Sequence, residues 1–240
     1  MFFDPLWLLF ITPALLLSLW ASFRTRSAFN KYSKVAAASG LSGAQAAQRL
    51  LSSAGIGDVD IVPTNGRLSD HYNPVTKKLA LSEPVYGSRS IAALGVACHE
   101  AGHAIQHARG YKPLWLRSAL VPLAGIGSQL GYIVMMVGLM MMLYAQRGPS
   151  TTGQTIVLVG AVLFSATLLF QIVTLPVEFD ASSRAKRLAV EQGIVLPQER
   201  QGMDRVLNAA ALTYVAAAIS TLMTLLYFLF RAGLLGGRRD

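Results

Sequence analysis

The sequence predicts a mainly α-helical membrane protein, with four transmembrane helices and a small cytosolic α+β portion. The first observation is composition: of 240 residues, 53% are hydrophobic and 14% charged, with a mean hydropathy of +0.46, too apolar for a water-soluble globule. The second is a set of four stretches without Asp, Glu, Lys or Arg: Pro5–Phe23, Ser118–Gln146, Gly148–Val177 and Val206–Phe230. Each is long enough to cross a hydrocarbon core about 30 Å thick. The third is the pattern of the polar segments between them, which reads as short helices and strands. The expected organisation is a membrane anchor at 5–23, a cytosolic segment at 24–117, spans at 118–146 and 154–177, a second cytosolic segment at 178–205 and a last span at 206–230.

The first stretch has the charge order of a retained anchor rather than a signal peptide. Asp4 precedes it, Arg24 and Arg26 follow it, and it carries no small-residue cleavage site. Ser42–Leu51 is an amphipathic helix, with Ala44, Ala47, Leu50 and Leu51 at helical spacing and Gly55 as its stop. The β-branched run Asp58–Pro63 and the run Lys77–Ser82 read as strands of a small sheet or hairpin, with turns at Asn65-Gly66 and Asn73-Pro74. A further helix, capped near Ser88 or Ser90, runs from Ile91 to about Ala108, and Gly110 and Pro113 stop it. Gly127-Ser128-Gln129-Leu130-Gly131 has the spacing of a helix-packing face inside the second span.

Charge gives an orientation. Arg24, Arg26, Lys31 and Lys34 follow the first span, Arg109, Lys112 and Arg117 precede the second, and Arg184, Lys186, Arg187, Arg200 and Arg205 lie between the third and fourth. The loop between the second and third spans carries only Arg147. Basic residues collect on the cytoplasmic face, so both polar segments belong there. Arg231, Arg238 and Arg239 then fall outside, against the rule. The net charge of +9 sits beside apolar spans and no recognition module accompanies it, which argues against nucleic acid. A single cysteine, Cys98, excludes an internal disulfide and a paired thiolate site; it reads as a packed small residue, and Gly102 as a point of close backbone approach.

The chemistry-bearing segment is His99-Glu100-Ala101-Gly102-His103. Residues four apart on a helix share a face and lie about 6 Å apart along the axis, so His99 and His103 can direct nitrogens to one ion. Glu100 adjoins that line without joining it. Two His on a metal with a neighbouring Glu to take a proton from water is the pattern of zinc-assisted hydrolysis. A chance match is the alternative, but His, Glu and His on an apolar helix are costly unless they have partners or bind an ion.

A third ligand is needed. His107 continues the i, i+4, i+8 series, but it stands about 12 Å along the axis from His99, too far for zinc–nitrogen bonds of about 2 Å on one straight helix. It reads as a residue behind a ligand or at the surface. Glu178, in Leu175-Pro176-Val177-Glu178-Phe179-Asp180-Ala181 at the end of the third span, is either a ligand or a solvated acid at a helix end, and spacing leaves both open. Asp180 either orients a metal-bound His or caps a following basic helix.

His99 through Gln106, Asp70-His71-Tyr72-Asn73-Pro74 and Leu175 through Ser182 together resemble the YugP-type zinc metallopeptidases of bacterial membranes, more distantly the HtpX-like proteases. The resemblance covers most of the chain and includes the order of its segments. It implies a gluzincin-like metalloendopeptidase in a zincin-like cytosolic portion, embedded by several spans in the bacterial cytoplasmic membrane with its active site on the cytosolic side. One zinc ion is implied, with His99, His103 and Glu178 as ligands and Glu100 as general base. The wider group often has Asp four residues after the ligand Glu; Ser182 stands there instead, which leaves the role of Asp180 open.

Substrates would be peptides or proteins, including membrane proteins, and the sequence does not fix the oligomeric state. His71 or Tyr72 is a candidate donor to a substrate carbonyl, though a turn held by Asp70 and Asn73 is the simpler reading. Lys77–Ser82 either presents an open edge to an extended peptide or closes the sheet. Two rival readings remain: a non-catalytic zinc-binding scaffold, and an intramembrane protease with the motif inside a spanning helix, whose later Asp-Gly ligand pair this sequence lacks.

Overall fold

The computed structural model describes residues 4–144 and 151–235. The chain is mainly helical, with one small sheet. The end of the second expected span at 145–146, Arg147, Gly148, Arg238 and Arg239 lie outside the described residues.

Four helical stretches are long and apolar enough to cross a membrane: Pro5–Tyr32, Lys112–Leu143, Thr151–Glu191 and Arg200–Arg231. They overlap the four charge-free stretches, and each reaches past its stretch on at least one side, to Tyr32, Lys112, Glu191, and Arg200 and Arg231. Helix α1 is Pro5–Tyr32, and α2 is Gly43–Ser53, where Ser42 and Gln45 form a reciprocal capping box that satisfies two end N–H groups. Strands β1 (Asp60–Thr64), β2 (His71–Asn73) and β3 (Lys78–Ser82) follow. Next come a one-turn helix α3 (Glu83–Tyr86) and the motif helix α4 (Ile91–Ala108). The second span is built from α5 (Lys112–Ile126), a π-helical turn at Gly127–Gly131 and α6 (Tyr132–Leu143). The last two helices are α7 (Thr151–Glu191) and α8 (Arg200–Arg231).

The described residues fall into two compact units, and α1, α5, α7 and α8 each supply residues to both. One unit comprises residues within Met1–Trp20, Leu116–Thr174 and Tyr214–Asp240. Its core is Met135, Leu139, Val157, Ala161, Phe164, Tyr227 and Phe228. Many of its large apolar side chains point outward, among them Leu9, Leu16, Val121, Ile126 and Val162, as expected of surfaces solvated by lipid tails. The glycine face read from the sequence packs here: a Cβ on Gly127 would stand 2.4 Å from Leu163 O, and one on Gly131 2.6 Å from Phe164 N. Only glycine allows such backbone approach. Arg231, which violated the charge rule, pairs with Asp4 at 3.1 Å.

The other unit comprises Ala21–Trp115 and Leu175–Thr213. Its core gathers Leu50 and Leu51 of α2, Leu79 and Leu81 of β3, Leu94, Ala97 and Ala101 of α4, and Ala185 and Ala189 of α7. The sheet order is β1-β3-β2. β1 pairs parallel to β3, Asp60 opposite Lys78, and β2 pairs antiparallel to it, Tyr72 opposite Leu79.

This arrangement corrects three expectations. β3 is the central strand, so Lys77–Ser82 is not an open edge. Its buried run Leu79–Ser82 is what a strand covered on both faces and paired on both sides requires. The Asp70–Asn73 segment is not a turn but leads into strand β2: Asp70 accepts from Ser82 N and Oγ at 2.7 and 3.0 Å, fastening the strand to the end of β3. Asn73 does hold the turn that follows, accepting from Val75 N and Thr76 N. Finally, no new helix begins near Asp180; α7 runs unbroken from Thr151 to Glu191 despite Pro176.

Candidate metal centre

Helix α4 is set by its ends. Ser90 accepts from Ala93 N at 3.2 Å as the N-cap, and Arg109 closes the last turn before Gly110, whose φ is +61°. The run between is rich in Ala and Gly, so the helix is buried almost around its circumference. α7 reaches α4 through its small face: Ala181 is fully buried, and a Cβ on Gly102 would lie only 2.7 Å from Ala181 O. That contact is the close backbone approach read from Gly102, and it brings together the helix segments that carry His99, His103 and Glu178.

His99, His103 and Glu178 converge. One ligand atom from each can be chosen so that all three lie within 4.8 Å of one another. His99 Nε2 is 3.1 Å and His103 Nε2 3.6 Å from Glu178 Oε2. Two donors of a tetrahedral zinc site with bonds of about 2.1 Å stand roughly 3.4 Å apart, so these spacings fit such an ion. The donor set, two imidazoles and a carboxylate, suits zinc as well. Glu178 is 1% exposed, His103 6% and Glu100 8%; a buried carboxylate facing two imidazoles is a costly arrangement without a cation to share.

Both imidazoles are held from behind. His99 Nδ1 meets Ser182 Oγ at 3.1 Å, and His103 Nδ1 meets Gln106 Oε1 at 3.0 Å. Each ring thereby turns Nε2 toward Glu178, the arrangement in which an outer partner fixes a metal-binding His. Ser182 thus occupies the place where the wider group often carries Asp, and it does so as a partner of His99. Asp180 accepts from Gln106 Nε2 at 2.8 Å and from Arg184 Nε at 2.5 Å, and Gln106 links it to His103.

Gln106 and Ser182 were not singled out as site residues from the sequence. Their positions carried a signal, Gln106 one helical turn after His103 and Ser182 one turn after Glu178, but that signal has meaning only once α4 and α7 are known to be adjacent.

His107 does not join the cluster. Its Nδ1 shares a 2.8 Å hydrogen bond with Tyr72 Oη, which ties β2 to α4, and burial raises the Tyr72 pKa. His71 is exposed, with its Nδ1 2.9 Å from Ser69 O. Cys98, beside His99, is fully buried, and burial pushes its thiol pKa up to about 12. It is a packing residue.

Residues 7–233 match the family described as "Putative neutral zinc metallopeptidase". The chain belongs to that family. It is also 45% identical over 221 residues to "Putative membrane protease YugP" of Bacillus subtilis (strain 168), covering 92% of this chain and 94% of that protein. No solved structure matches the chain. The metal of the family is zinc, and the His-His-Glu cluster is a group of residues in this chain able to hold it.

Proposed function

We propose that this protein is a membrane-bound zinc metallopeptidase that hydrolyses peptide bonds, with His99, His103 and Glu178 as metal ligands and Glu100 as general base. The observation that carries the reading is the convergence of His99 Nε2 and His103 Nε2 on Glu178 Oε2, with each Nδ1 engaged on its far side. Zinc, when bound, makes water nucleophilic near neutral pH and polarises a substrate carbonyl.

Among the described residues the cluster has three donors. An ion held by these three groups alone would keep a position for water and substrate, as catalytic zinc sites do and closed structural sites do not. Glu100 follows His99 by one residue, about 100° around the helix, so its carboxylate borders the cluster without being a ligand. It accepts a proton from the attacking water as the new carbon–oxygen bond forms. It then delivers that proton to the amide nitrogen as the carbon–nitrogen bond breaks, leaving one peptide with a new carboxylic acid, which gives up its proton to the medium, and the other with a new amine. Gln106 and Ser182 hold the imidazoles in place throughout.

The site lies in a zincin-like cytosolic portion formed by residues 24–117 and 178–205, in a bacterial cytoplasmic membrane, and acts on peptides or proteins that include membrane proteins. Support comes from the compact unit of Ala21–Trp115 and Leu175–Thr213, which contains the whole cluster, and from the basic residues of those segments. α4 is not among the helices apolar and long enough to span a membrane, which favours this reading over an intramembrane protease.

Glu100→Gln tests the mechanism and separates it from a zinc-binding scaffold. Peptide hydrolysis by the purified protein should fall at least about 100-fold, the usual contribution of a general base, while zinc content stays at the parental level. Parental turnover in Glu100→Gln would refute the assigned role.

A further inference from the structure

The two imidazoles of the cluster are not held alike. Gln106 is fully buried, and its amide has three polar neighbours: His103 Nδ1 at 3.0 Å, Val177 O at 2.8 Å and Asp180 Oδ2 at 2.8 Å. Val177 O is a backbone carbonyl and can only accept. The amide atom facing it must therefore be the nitrogen, which fixes the amide against the flip that leaves many Gln side chains ambiguous. The Gln106 carbonyl oxygen is then the atom facing His103 Nδ1, and it too can only accept. His103 must donate from Nδ1.

We infer that Gln106 is a positioning residue that presets His103 as its Nδ1–H tautomer before any metal arrives, so that Nε2 is presented as the ligating atom. This rests on the reading of His103 as a zinc ligand and deepens it. The chain of constraint starts from the backbone of α7 and passes through one α4 side chain to another. Arg184 steadies it by donating to Asp180 at 2.5 Å, so Asp180 stays an acceptor for the Gln106 amide. His99 has no equivalent lock: its Nδ1 partner is the Ser182 hydroxyl, 3.1 Å away, which can donate or accept and imposes neither tautomer.

The test uses the full-length protein in detergent, with histidine labelled with nitrogen-15 and its metal removed. The chain has four His, so resonances are assignable by single His substitutions, and nitrogen shifts report which ring nitrogen carries the proton. In the parent, His103 should be the Nδ1–H tautomer. Gln106→Met keeps the volume and removes the acceptor; the His103 signal should move away from that tautomer, and zinc affinity measured by chelator competition should fall about 10- to 100-fold. Gln106→Leu, a second apolar replacement of similar size that lacks the acceptor, should give the same two changes.

Unchanged His103 shifts, or zinc affinity within about twofold of the parent in Gln106→Met, would overturn the inference, since loss of an orienting partner costs at least about tenfold. If Gln106→Met does not fold, Gln106→Leu and the parent decide: a parental His103 tautomer in Gln106→Leu, or an Nε2–H tautomer in the metal-free parent, would overturn the proposal. A parent that binds no zinc would overturn the metal reading instead, and the tautomer in metal-free protein would still judge the role of Gln106.

Discussion

Gly102→Ala adds one methyl group at the crossing of α4 and α7, and the consequence can be worked out from the structure. The new Cβ would lie 2.7 Å from Ala181 O and 3.3 Å from Ala181 C and Cα. Relief to an ordinary carbon–oxygen contact, close to the sum of van der Waals radii, requires the helices to part by about half an ångström. Ala181 O is backbone, so no side-chain rotation can absorb the strain. Two of the proposed ligands are on α4 and the third on α7, three residues before Ala181. Their 3.1 and 3.6 Å separations therefore widen by an amount exceeding the roughly 0.2 Å tolerance of metal–ligand distances. Stability and metal binding should respond differently. Overpacking costs about 1–3 kcal/mol, while replacing a mid-helix Gly by Ala returns about 1 kcal/mol of helix propensity. The net loss in metal-free stability is thus about 0–2 kcal/mol. Zinc affinity, by contrast, should drop at least about tenfold, or 1.4 kcal/mol. Chelator competition and thermal unfolding of the metal-free protein, run side by side, measure the two. Parental zinc affinity in a folded Gly102→Ala protein would refute the claim that this crossing sets the ligand spacing.

Two further outcomes follow from the same geometry. Glu178→Ala should leave His99 and His103 in place and lower zinc affinity by well over about tenfold, because the cluster then lacks its sole carboxylate donor among those able to hold an ion; unchanged zinc content by metal analysis would remove Glu178 from the ligand set. Cys98 should resist alkylation in the folded protein at pH 8, since burial pushes its thiol up to about 12, and should react at the rate of an ordinary thiol once unfolded. Because the folded pKa lies above that of a free thiol, the stabilisation it represents is fully present below about pH 8.5 and is lost as pH rises toward 12. Labelling of native protein at the denatured rate would contradict the burial.

How much of this was legible in the sequence depends on whether a feature is local. The four apolar helices, the amphipathic helix near Ser42–Leu51, the cap at Ser90 and the glycine face at Gly127 and Gly131 are all written in residues a few positions apart, and each was readable. The sheet order was not. β1 and β3 are neighbours with β2 falling between them in sequence, and nothing in a short β-branched run says which strand will be central. Strand β2 itself, three residues long, carries too little pattern to register as a strand, and Asp70-His71-Tyr72 therefore read as a turn.

The site shows the same division more sharply. His99, Glu100 and His103 are spaced by the pitch of one helix, so their cooperation follows from the sequence. Glu178 is 75 residues beyond His103, and its acidity alone could not distinguish a ligand from a solvated helix end. The burial of Glu178, 1% exposed, removes the second option: α7 does not end there but continues for thirteen residues to Glu191. The uninterrupted helix has a further effect. It sets Val177, Glu178, Asp180, Ala181 and Ser182 on little more than one turn, where they supply a backbone acceptor, a carboxylate facing the imidazoles, a partner for Gln106, the contact with Gly102 and a partner for His99. A break at the end of the third span would scatter these functions; the continuous helix lets one docking event of α7 on α4 assemble all of them together.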